Sequence, residues 1–428
     1  MNVFVLGPDP FNRAQLEQLP GAGQRYRFQE LLDHETVRGS QDYPIDEWLD
    51  RCRTQLDAFD GSVDAIVSFW DFPVTEVAAV LCQERDLVSP GLESVLQCQH
   101  KLWSRQLQLE VLPDMTPAFR AVEPFADDAD SIDLPYPFWI KPVRSFRSHL
   151  GYRVDSPAAL DRALEQLRNG IGSLSEPLGN LLARVRVPPS IASHSAEVCI
   201  AEQLVGGQQC TLEGFVRDGD IRVYGIVDSI NHPGASSFAC YRYPSVLPER
   251  VQRRMVDATA RMMDATRFDN GAFNVEFFLD EDDLWLLEVN CRISQSHSEL
   301  FARVDGVSHH QVMVDLALGR EPTVAPGSGP HRMAAKCFLR SWRDGTVRRL
   351  PDAERVAAIE RSVSGTAIHL TVTEGDRLAE LPNQDSYSYE LGHVYLAGDD
   401  PEEISETFER VQGELDCEIE IEPGMVDP

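Results

Sequence analysis

The chain has 428 residues, more than one ordinary hydrophobic core holds, and this length predicts two to four domains. A formal net charge of −30 argues against nucleic acid and anionic membranes as partners. No apolar run approaches the ~20 residues that a membrane-spanning helix needs. Nine cysteines without a CxxC pair argue against a disulfide framework or a zinc site, and they indicate a cytoplasmic protein with reduced thiols.

Residues 1–95 alternate strand-like and helical stretches, which is the pattern of a small parallel-sheet domain. The first predicted strand, Val3–Leu6, is followed by a Gly-Pro-Asp-Pro turn and not by the GxGxxG of a dinucleotide site. We therefore expect this domain to supply a wall of a cleft.

Lysine is rare in this chain. It occurs only at Lys101, Lys141 and Lys336, so the other 36 of the 39 basic residues are arginine. Where arginine supplies the general surface charge, a remaining lysine is expected to serve as a compact point charge of the kind that suits phosphate. Lys101 falls in a helix predicted over Gly91–Val111, and Lys141 falls in a strand predicted over Phe138–Pro142.

A polar loop follows the strand that carries Lys141. It contains two arginines, two serines and a glycine, namely Arg144, Ser145, Arg147, Ser148 and Gly151. Such a loop can close over phosphates through its backbone N–H groups and guanidinium groups. It lacks the GxxxxGK[ST] of a P-loop, and the alternative is an ordinary exposed loop between two strands.

The next elements are predicted from apolar patterning and turn residues. Residues 169–195 are expected to be an ordered insertion or a mobile loop, and residues 231–248, rich in Pro, Ser and Tyr, an irregular segment. A Pro/Gly/Ser linker at 322–330 precedes an α+β piece. Its predicted elements are strands near Met333–Leu339, Ala367–Val372 and Tyr395–Ala397 and a helix at Pro401–Leu415.

The stretch from Asn270 to His297 predicts a β-hairpin, because two apolar runs flank an acidic turn. With the turn centred near Asp282, Glu276 lies opposite Glu288 and on the same face as Asn290. Like charges directly opposite destabilise a sheet, and an unpaired buried carboxylate is costly. A divalent cation would remove both costs, since Mg²⁺ accepts carboxylate and amide oxygens together with water and phosphate. The alternative is that both glutamates point to solvent on an edge hairpin.

The segment Glu288-Val-Asn290-Cys-Arg292-Ile-Ser294-Gln-Ser296 is similar to the E-V-N-P-R-x-S stretch of carbamoyl-phosphate synthetase. Further signals are the E-(11)-E-x-N-x-R spacing, two lysines about 40 residues apart and a strand with a glutamate before a hinge. On these residues, positions 1–330 resemble the ATP-grasp superfamily, in particular the branch with carbamoyl-phosphate synthetase, biotin carboxylase and amino-acid ligases.

The resemblance implies a mixed α/β and α+β fold: an ATP-grasp fold with an N-terminal Rossmann-like pre-ATP-grasp domain and a C-terminal α+β domain. The pre-ATP-grasp domain would comprise residues 1–95. The two ATP-grasp subdomains would comprise 96–195, with the phosphate lysines and the flap, and 196–325, with the hinge and the metal site. The C-terminal domain would comprise 331–428.

The resemblance also implies cofactors and site residues. The cofactors would be ATP and Mg²⁺, with Mn²⁺ as an alternative ion, held by the metal ligands Glu276, Glu288 and Asn290. The ATP contacts would be Lys101 and Lys141 at the phosphates, Ser145, Arg147 and Ser148 in the flap, and Glu202, Gln203 and Leu204 at the adenine. Lys141 and Arg292 would be catalytic, with Arg292 orienting a carboxylate or stabilising an acyl phosphate. The substrate contacts would be Arg292, Ser294, Ser296, His297, Arg242 and His232.

The sequence departs from the family pattern at several positions. The flap has fewer glycines than usual, and Cys291 replaces a proline. Cys210 or Gln209 stands where many members have an acidic ribose ligand, which leaves that role unassigned, with Glu213 as a candidate. Biotin carboxylases carry a catalytic glutamate just before the histidine that follows the motif, and this chain has Ser296 before His297. That difference argues against a bicarbonate-activating enzyme.

The activity that the resemblance implies is ATP-dependent ligation of a carboxylic acid, such as an amino acid or another small carboxylate, to an amine. The reaction would pass through an acyl phosphate and release ADP and phosphate. The expected partners are therefore small-molecule carboxylate and amine substrates, and the acidic surface is compatible with a homodimer. Two alternatives stay open: a carboxylase-type enzyme that activates bicarbonate, and an ATP-binding regulator without turnover.

Overall fold

The computed structural model describes residues 1–39, 43–128, 132–145, 150–235, 237–381, 384 and 388–421. Within these residues the strands form four sheets, of three, four, eight and two strands. No helix of the described residues is long and apolar enough to cross a bilayer.

The N-terminal unit is a parallel three-stranded sheet with helices, as its βα alternation predicted. Asp9 begins the first helix by accepting a hydrogen bond from the Asn12 backbone N–H, and Pro10 occupies the first helical position. The strand order is β2-β1-β3. The strands are β1 (Asn2–Leu6), β2 (Arg27–Leu31) and β3 (Ala65–Val67), and the helices are α1 (Pro10–Glu17), α2 (His34–Arg38), α3 (Ile45–Asp57) and α4 (Val74–Glu84).

The prediction of one continuous helix over Gly91–Val111 is wrong. The structure has two helices, α5 (Leu92–Gln99) and α6 (Lys101–Val111), because His100 adopts an extended ψ of 102°. The His100 side chain accepts a hydrogen bond from the Trp103 N–H, and the Lys101 N–H donates to the Val143 carbonyl at 2.8 Å. Lys101 thus becomes the first residue of α6.

A four-stranded antiparallel sheet with helices follows α6 in the chain. Of the two alternatives predicted for 169–195, an ordered insertion or a mobile loop, the structure has an ordered segment, in which apolar residues such as Leu174, Leu178 and Leu181 form a buried helical face. The strand order is β4-β7-β5-β6. The elements are β4 (Phe119–Val122), β5 (Phe138–Pro142), β6 (Tyr152–Val154), α7 (Pro157–Gly170), α8 (Gly172–Leu182), α9 (Pro189–Ala192) and β7 (Cys199–Gln203), with a short 3₁₀ turn at Pro113–Met115.

The largest sheet has eight strands in the order β12-β11-β8-β9-β10-β13-β16-β15. The segment 231–248, predicted to be irregular, contains strand β10, in which aromatic residues pair with β9 and β13. The strands are β8 (Gln208–Arg217), β9 (Asp220–Asn231), β10 (Phe238–Tyr243), β11 (Gly271–Asp280), β12 (Asp283–Asn290), β13 (Met333–Ser341), β15 (Ala367–Leu370) and β16 (Tyr389–Gly398).

Helices and a small ribbon complete the chain. Helix α10 packs against the eight-stranded sheet, where the Cys210 thiol lies 3.9 Å from the Met255 sulfur. The helices are α10 (Glu249–Thr266), α11 (Ser298–Asp305), α12 (His309–Ala317), α13 (Ala353–Ser362) and α14 (Pro401–Leu415), the ribbon pairs β14 (Gly345–Arg349) with β17 (Glu418–Ile421), and a 3₁₀ turn covers Leu378–Glu380.

The C-terminal elements share the large sheet with the middle of the chain. Strand β10 pairs with β13, with Tyr241 opposite Lys336, so backbone hydrogen bonds cross from residues before the 322–330 linker to residues after it. A separate cluster of buried apolar side chains lies under the C-terminal part, with Val394, Leu396 and Val411 among its members. The domain boundaries given above stay a prediction.

Gly392 in β16 offers a test of this sheet. Its φ is +153°, and a Cβ there would meet the His369 carbonyl oxygen of β15 at 2.3 Å. We expect Gly392→Ala to lower the free energy of unfolding by about 2 kcal/mol or more, since both backbone strain and a backbone clash result. The measurement is equilibrium urea denaturation.

The matched control is Gly413→Ala. Gly413 is exposed within helix α14, and a Cβ there meets nothing within 4 Å. The free energy of unfolding of this variant should rise by up to about 1 kcal/mol, because alanine has a higher helix propensity than glycine. Equal effects of the two substitutions would contradict the described register of β15 and β16.

Candidate functional site

The hairpin that the sequence predicted is confirmed. Strands β11 and β12 pair antiparallel, with Glu276 opposite Glu288 and Asn274 opposite Asn290. The register shifts between Glu276 and Phe277, so the strand pair bends next to the two carboxylates. The glutamates do not point to open solvent, because the Glu288 side chain is only 23% exposed and Glu276 is partly buried.

Glu276 accepts hydrogen bonds from two amides. The Gln209 Nε2 lies 3.0 Å from its Oε2, and the Asn290 Nδ2 lies 3.3 Å from its Oε1. Asn290 Nδ2 also lies 3.1 Å from the Asn274 Oδ1, so the amide nitrogen of Asn290 is engaged and its oxygen is left to accept. Burial, together with the charge of Glu288, raises the pKa of Glu276 to about 7.

The surroundings of Glu288 shift its pKa in the opposite direction. Burial acts to raise its pKa, but the positive charges of Lys101, Lys141 and Arg144 outweigh burial and hold that pKa below its usual value. The Lys101 ammonium lies 3.1 Å from the Glu288 Oε1 and 3.1 Å from the Ser145 carbonyl oxygen. Desolvation lowers the pKa of Lys101 in turn. Two like charges are therefore tolerated side by side because one is compensated by a lysine.

Lys141 contacts Glu202, which is 4% exposed at the end of β7. The Lys141 ammonium lies 2.8 Å from one carboxylate oxygen, and Arg105 Nε lies 2.6 Å from the other. Burial would raise the pKa of Glu202, but Arg105 and Lys141 lower it to about 2. Of the other two residues that were predicted to contact adenine, Gln203 is exposed and Leu204 is half-buried.

Arg292 is held by a residue that the sequence analysis missed. Its Nε donates to Asp71 Oδ1 at 2.7 Å, and its Nη1 donates to the Ile293 carbonyl at 3.1 Å. Burial opposes ionisation of Asp71, but Arg292 lowers its pKa to about 2. Asp71 comes from the N-terminal unit, 221 positions away in the sequence, and no local pattern links the two. Arg105 was missed for the same reason.

Glu213 is fully buried and bonded to histidine. Its Oε1 lies 2.8 Å from the His297 Nδ1, and its Oε2 has no hydrogen-bond partner among the described residues. Burial raises the pKa of Glu213 and lowers the pKa of His297. Such a closed setting does not support the suggested contact of Glu213 with a ribose. Nearby, the Ser294 and Ser296 hydroxyls lie 3.5 Å apart, and Ser294 is buried while Ser296 is half-buried.

Arg242 and His232 lie apart from these groups. Register pairing puts Arg242 opposite Asp228 and next to Tyr241, which faces the other side of the sheet. Arg242 Nη2 donates to Asp228 Oδ2 at 2.8 Å, and both side chains lie on the opposite face of the sheet from Glu276. This geometry does not support Arg242 as a substrate contact beside Glu276. His232 is half-buried, with its ring 4.9 Å from that of Trp342.

The loop predicted to cover phosphates falls largely outside the described residues. Arg147 and Ser148 are among those not described, and Ser145 is 6% exposed. At the start of the loop Arg144 is 2% exposed, lies 5.0 Å from the Phe72 ring and contacts Glu76 at 3.5 Å. Arg144 therefore anchors the loop base against the N-terminal unit.

Glu276, Glu288 and Asn290 form the donor set in which a hard cation fits. The register brings the two carboxylates together, and the Asn290 amide oxygen is left to accept. No group of three or more His, Cys, Asp or Glu side chains suited to a metal occurs in the described part of the chain. A cation at this pair would thus take its other ligands from water or a bound molecule.

Comparison with known proteins assigns the fold. Residues 134–299 match the family model described as ATP-grasp domain. This part of the chain is thus similar to an ATP-grasp domain. The match begins just before β5, which carries Lys141, and ends just after the Glu288–Ser296 motif. It therefore includes the site residues on both sheets, but not Lys101 or the N-terminal unit.

Solved structures with the same fold cover nearly the whole chain. The L-amino acid ligase from Bacillus licheniformis is 18% identical, with 98% of both chains covered and a TM-score of 0.72. N5-carboxyaminoimidazole ribonucleotide synthetase from Thermus thermophilus is 16% identical, covering 99% of this chain and 100% of that one, with a TM-score of 0.64. Biotin carboxylase from Campylobacter jejuni is 12% identical, covering 98% and 92%, with a TM-score of 0.66. The ATP-grasp architecture thus extends over this chain.

The buried carboxylate of Glu202 gives a stability prediction. We expect Glu202→Ala to lower the free energy of unfolding by about 3–5 kcal/mol at pH 7, because Arg105 and Lys141 are left buried without their partner. Since the pKa of Glu202 is lowered from 4.5 to about 2, this contribution is present above pH 4.5 and declines as the pH falls towards 2. Chemical denaturation at several pH values measures it.

Glu420→Ala is the control for this measurement. Glu420 pairs with Arg348 on the surface, where both side chains are more than half exposed. Removing it should cost less than about 1 kcal/mol. A Glu202 variant as stable as the Glu420 variant would disprove the buried ion-pair arrangement.

Proposed function

We propose that this chain is an ATP-dependent ligase that joins a carboxylic acid to an amine and releases ADP and phosphate. The observation that carries the proposal is the pairing of Glu276 and Glu288 on adjacent strands, with the Lys101 ammonium 3.1 Å from Glu288. This arrangement suits a metal bound to nucleotide phosphates, since both the carboxylates and the lysine would then have a charged partner.

Mg²⁺ or Mn²⁺, when bound to Glu276, Glu288 and Asn290, would neutralise phosphate charge during transfer. Lys101 would exchange part of its contact with Glu288 for a phosphate oxygen. Lys141, held in place by its ion pair with Glu202, would contact a second phosphate oxygen. Because both Glu202 oxygens are occupied by cations and the Gln203 N–H donates to the Ala118 carbonyl, we assign adenine recognition to the Gln203 carbonyl and the Leu204 backbone, and give Glu202 a positioning role.

Arg292 would receive the carboxylate of the acid. Its Nε is fixed by Asp71 and its Nη1 by the Ile293 carbonyl, which together set the plane of the guanidinium and leave Nη2 for a substrate oxygen. The carboxylate oxygen would attack the γ-phosphorus of ATP, and the bond to the bridging oxygen would break to release ADP. The acyl phosphate that results keeps its negative charge near Lys141 and Arg292.

The amine would attack the carbonyl carbon of the acyl phosphate and displace inorganic phosphate, forming an amide. We assign the amine to the side of His297, whose ring is fixed by its 2.8 Å hydrogen bond to Glu213. The proton lost by the amine would pass to this Glu213–His297 pair. Positioning of the two reactants would contribute more to the rate enhancement than general acid–base catalysis.

The three solved structures described above are named for three different reactions. One is named an L-amino acid ligase, another an N5-carboxyaminoimidazole ribonucleotide synthetase, and the third a biotin carboxylase. Ser296, in place of a glutamate before His297, favours the ligase among these. The acid and the amine are left open.

An ADP-release assay distinguishes the alternatives. Purified protein is incubated with Mg²⁺, ATP and a matrix of carboxylic acids and amines, with and without bicarbonate. We expect ADP release that requires both an acid and an amine, together with formation of the amide. Release that requires bicarbonate instead would favour a carboxylase, and ATP binding without any release would favour a regulator.

Glu288→Gln tests the metal pair. The substitution keeps the shape but removes the charge that balances Lys101, so we expect turnover to fall by at least about 100-fold. Glu281→Gln is the control: it lies exposed in the turn of the same hairpin and should leave the rate within about twofold. Near-normal turnover by Glu288→Gln would refute the metal assignment.

A further inference from the structure

Two cysteines face each other across neighbouring strands of the eight-stranded sheet. Cys240 of β10 and Cys337 of β13 are direct partners in the antiparallel register, although they lie 97 positions apart in the sequence. Both thiols are free. Because strand pairing alone brings these residues together, no local spacing of cysteines indicates the pair.

The distance between directly opposed strand positions suits a disulfide. Opposed residues of an antiparallel pair have Cα atoms about 4.5–5.5 Å apart, and disulfides span Cα separations of about 4.4–6.8 Å. Their Cβ atoms lie about 4.5–5.5 Å apart, so a bridge requires an approach of roughly 1 Å. On its other side, β10 shifts its register with β9 between Phe238 and Cys240. Because a register shift interrupts the ladder of hydrogen bonds, the backbone at Cys240 can absorb this approach.

The two thiols differ in acidity. The pKa of Cys240 is lowered chiefly by a hydrogen bond from the Cys337 thiol, against the effect of burial. The positive charge of Arg242 adds to this lowering, and the charge of Asp228 opposes it. The same thiol contact and burial raise the pKa of Cys337. Cys240 is therefore the sulfur of the pair that carries thiolate character.

Arg242 supplies the positive charge beside Cys240. It lies two positions further along β10 and hence on the same face of the sheet. Its Nη2 donates to Asp228 at 2.8 Å, while its Nε has no hydrogen-bond partner among the described residues. The guanidinium is thus only partly engaged by Asp228, and its remaining charge favours a thiolate at Cys240.

Cys240 is also the accessible member of the pair. It is half-buried, whereas Cys337 is buried in the apolar cluster under the C-terminal part. Of the nine cysteines, all within the described ranges, seven are buried and Cys417 is the other half-buried one. Burial raises the pKa of Cys417. Cys240 combines access, thiolate character and a facing thiol, which together are typical of an oxidation-sensitive cysteine.

Another pair of thiols in contact provides an internal comparison. Cys98 of α5 and Cys291, next to Asn290, are both buried, and burial followed by the contact with Cys98 raises the pKa of Cys291. A thiol without access and without thiolate character is a poor nucleophile. We therefore expect this pair to stay reduced under conditions that oxidise Cys240.

We propose that Cys240 and Cys337 form an oxidation site, at which a hydroperoxide converts the two thiols to a disulfide. The Cys240 thiolate attacks one peroxide oxygen, the O–O bond breaks, and a sulfenic acid and hydroxide result. The Cys337 sulfur then attacks the sulfenic sulfur, the S–S bond forms, and the hydroxyl group leaves as water with the Cys337 proton. The two sulfurs lose two electrons, which the peroxide gains.

This disulfide would link the part of the chain before the 322–330 linker to the part after it. Cys240 and Arg242 share a face of β10, and that face lies opposite Glu276, so the bridge would form away from the carboxylate pair. The proposal is therefore independent of the ligase function. A covalent link between residues so distant in sequence restricts the unfolded chain, and it should stabilise the fold.

The test begins with reduced full-length protein and a small excess of hydrogen peroxide. Remaining thiols are alkylated in denaturant, and the peptides are analysed by mass spectrometry without reduction. We expect a cross-linked peptide pair that contains Cys240 and Cys337 and that dithiothreitol separates, while Cys98 and Cys291 are recovered alkylated. Absence of this bridge, or equally fast oxidation of the Cys98–Cys291 pair, would overturn the proposal.

Variants test the order of the two steps. In Cys337→Ser the reaction should stop at the Cys240 sulfenic acid, which dimedone labels, and Cys240→Ser should leave Cys337 unlabelled. Cys417→Ser replaces the other half-buried cysteine and should leave the rate of bridge formation within about twofold. Equal dimedone labelling of Cys337 in Cys240→Ser would refute the assignment of Cys240 as the attacking sulfur.

Urea denaturation tests whether the bridge fits the native sheet. The oxidised wild type should unfold at a higher urea concentration than the reduced protein, because the bridge restricts the unfolded chain. Dithiothreitol should reverse the shift, and Cys337→Ser treated with peroxide should not show it. An unchanged or lower midpoint in the bridged protein would mean that the native register does not bring the two sulfurs within reach, and it would overturn the proposal.

Discussion

The site depends on two carboxylates that the fold forces together on adjacent strands. Glu276 and Glu288 are direct partners in the β11–β12 register, and the strand pairing cannot separate them without shifting every side chain of the hairpin to the other face. Their settings differ: the pKa of Glu276 is raised by burial and by its neighbour, while Lys101 and other cations lower the pKa of Glu288. The protein thus distributes charge unevenly between two residues of identical chemistry.

A set of ion pairs connects this hairpin to the rest of the molecule. Asp71 brings the N-terminal unit to Arg292, and Glu202 joins Lys141 to Arg105 of α6. Arg105 also donates to the Leu287 carbonyl of β12 at 2.8 Å, so helix α6 is bound both to β7 and to β12. Since removing one member of a buried pair is expensive, these contacts hold the parts of the site in one relative arrangement.

Much of this arrangement follows from sequence pattern. The period-two alternation and acidic turn predicted the hairpin and its carboxylate pair, and the rarity of lysine singled out Lys101 and Lys141, which contact Glu288 and Glu202. What pattern missed depends on distant contacts. Asp71 and Arg105 are ordinary surface-type residues until the fold brings their partners to them. Arg242 belongs to a segment that was predicted to be irregular, and only the pairing of β10 decides that it takes the sheet face opposite Glu276.

The pairing of β10 with β13 has a consequence for modularity. Were the polypeptide cut at the 322–330 linker, β10 would lose its neighbour and expose a row of open backbone donors and acceptors flanked by Phe238, Tyr241 and Tyr243. Such an edge invites association with other chains. The C-terminal part therefore is not simply an appended module. It covers a sheet edge that would otherwise be prone to aggregation.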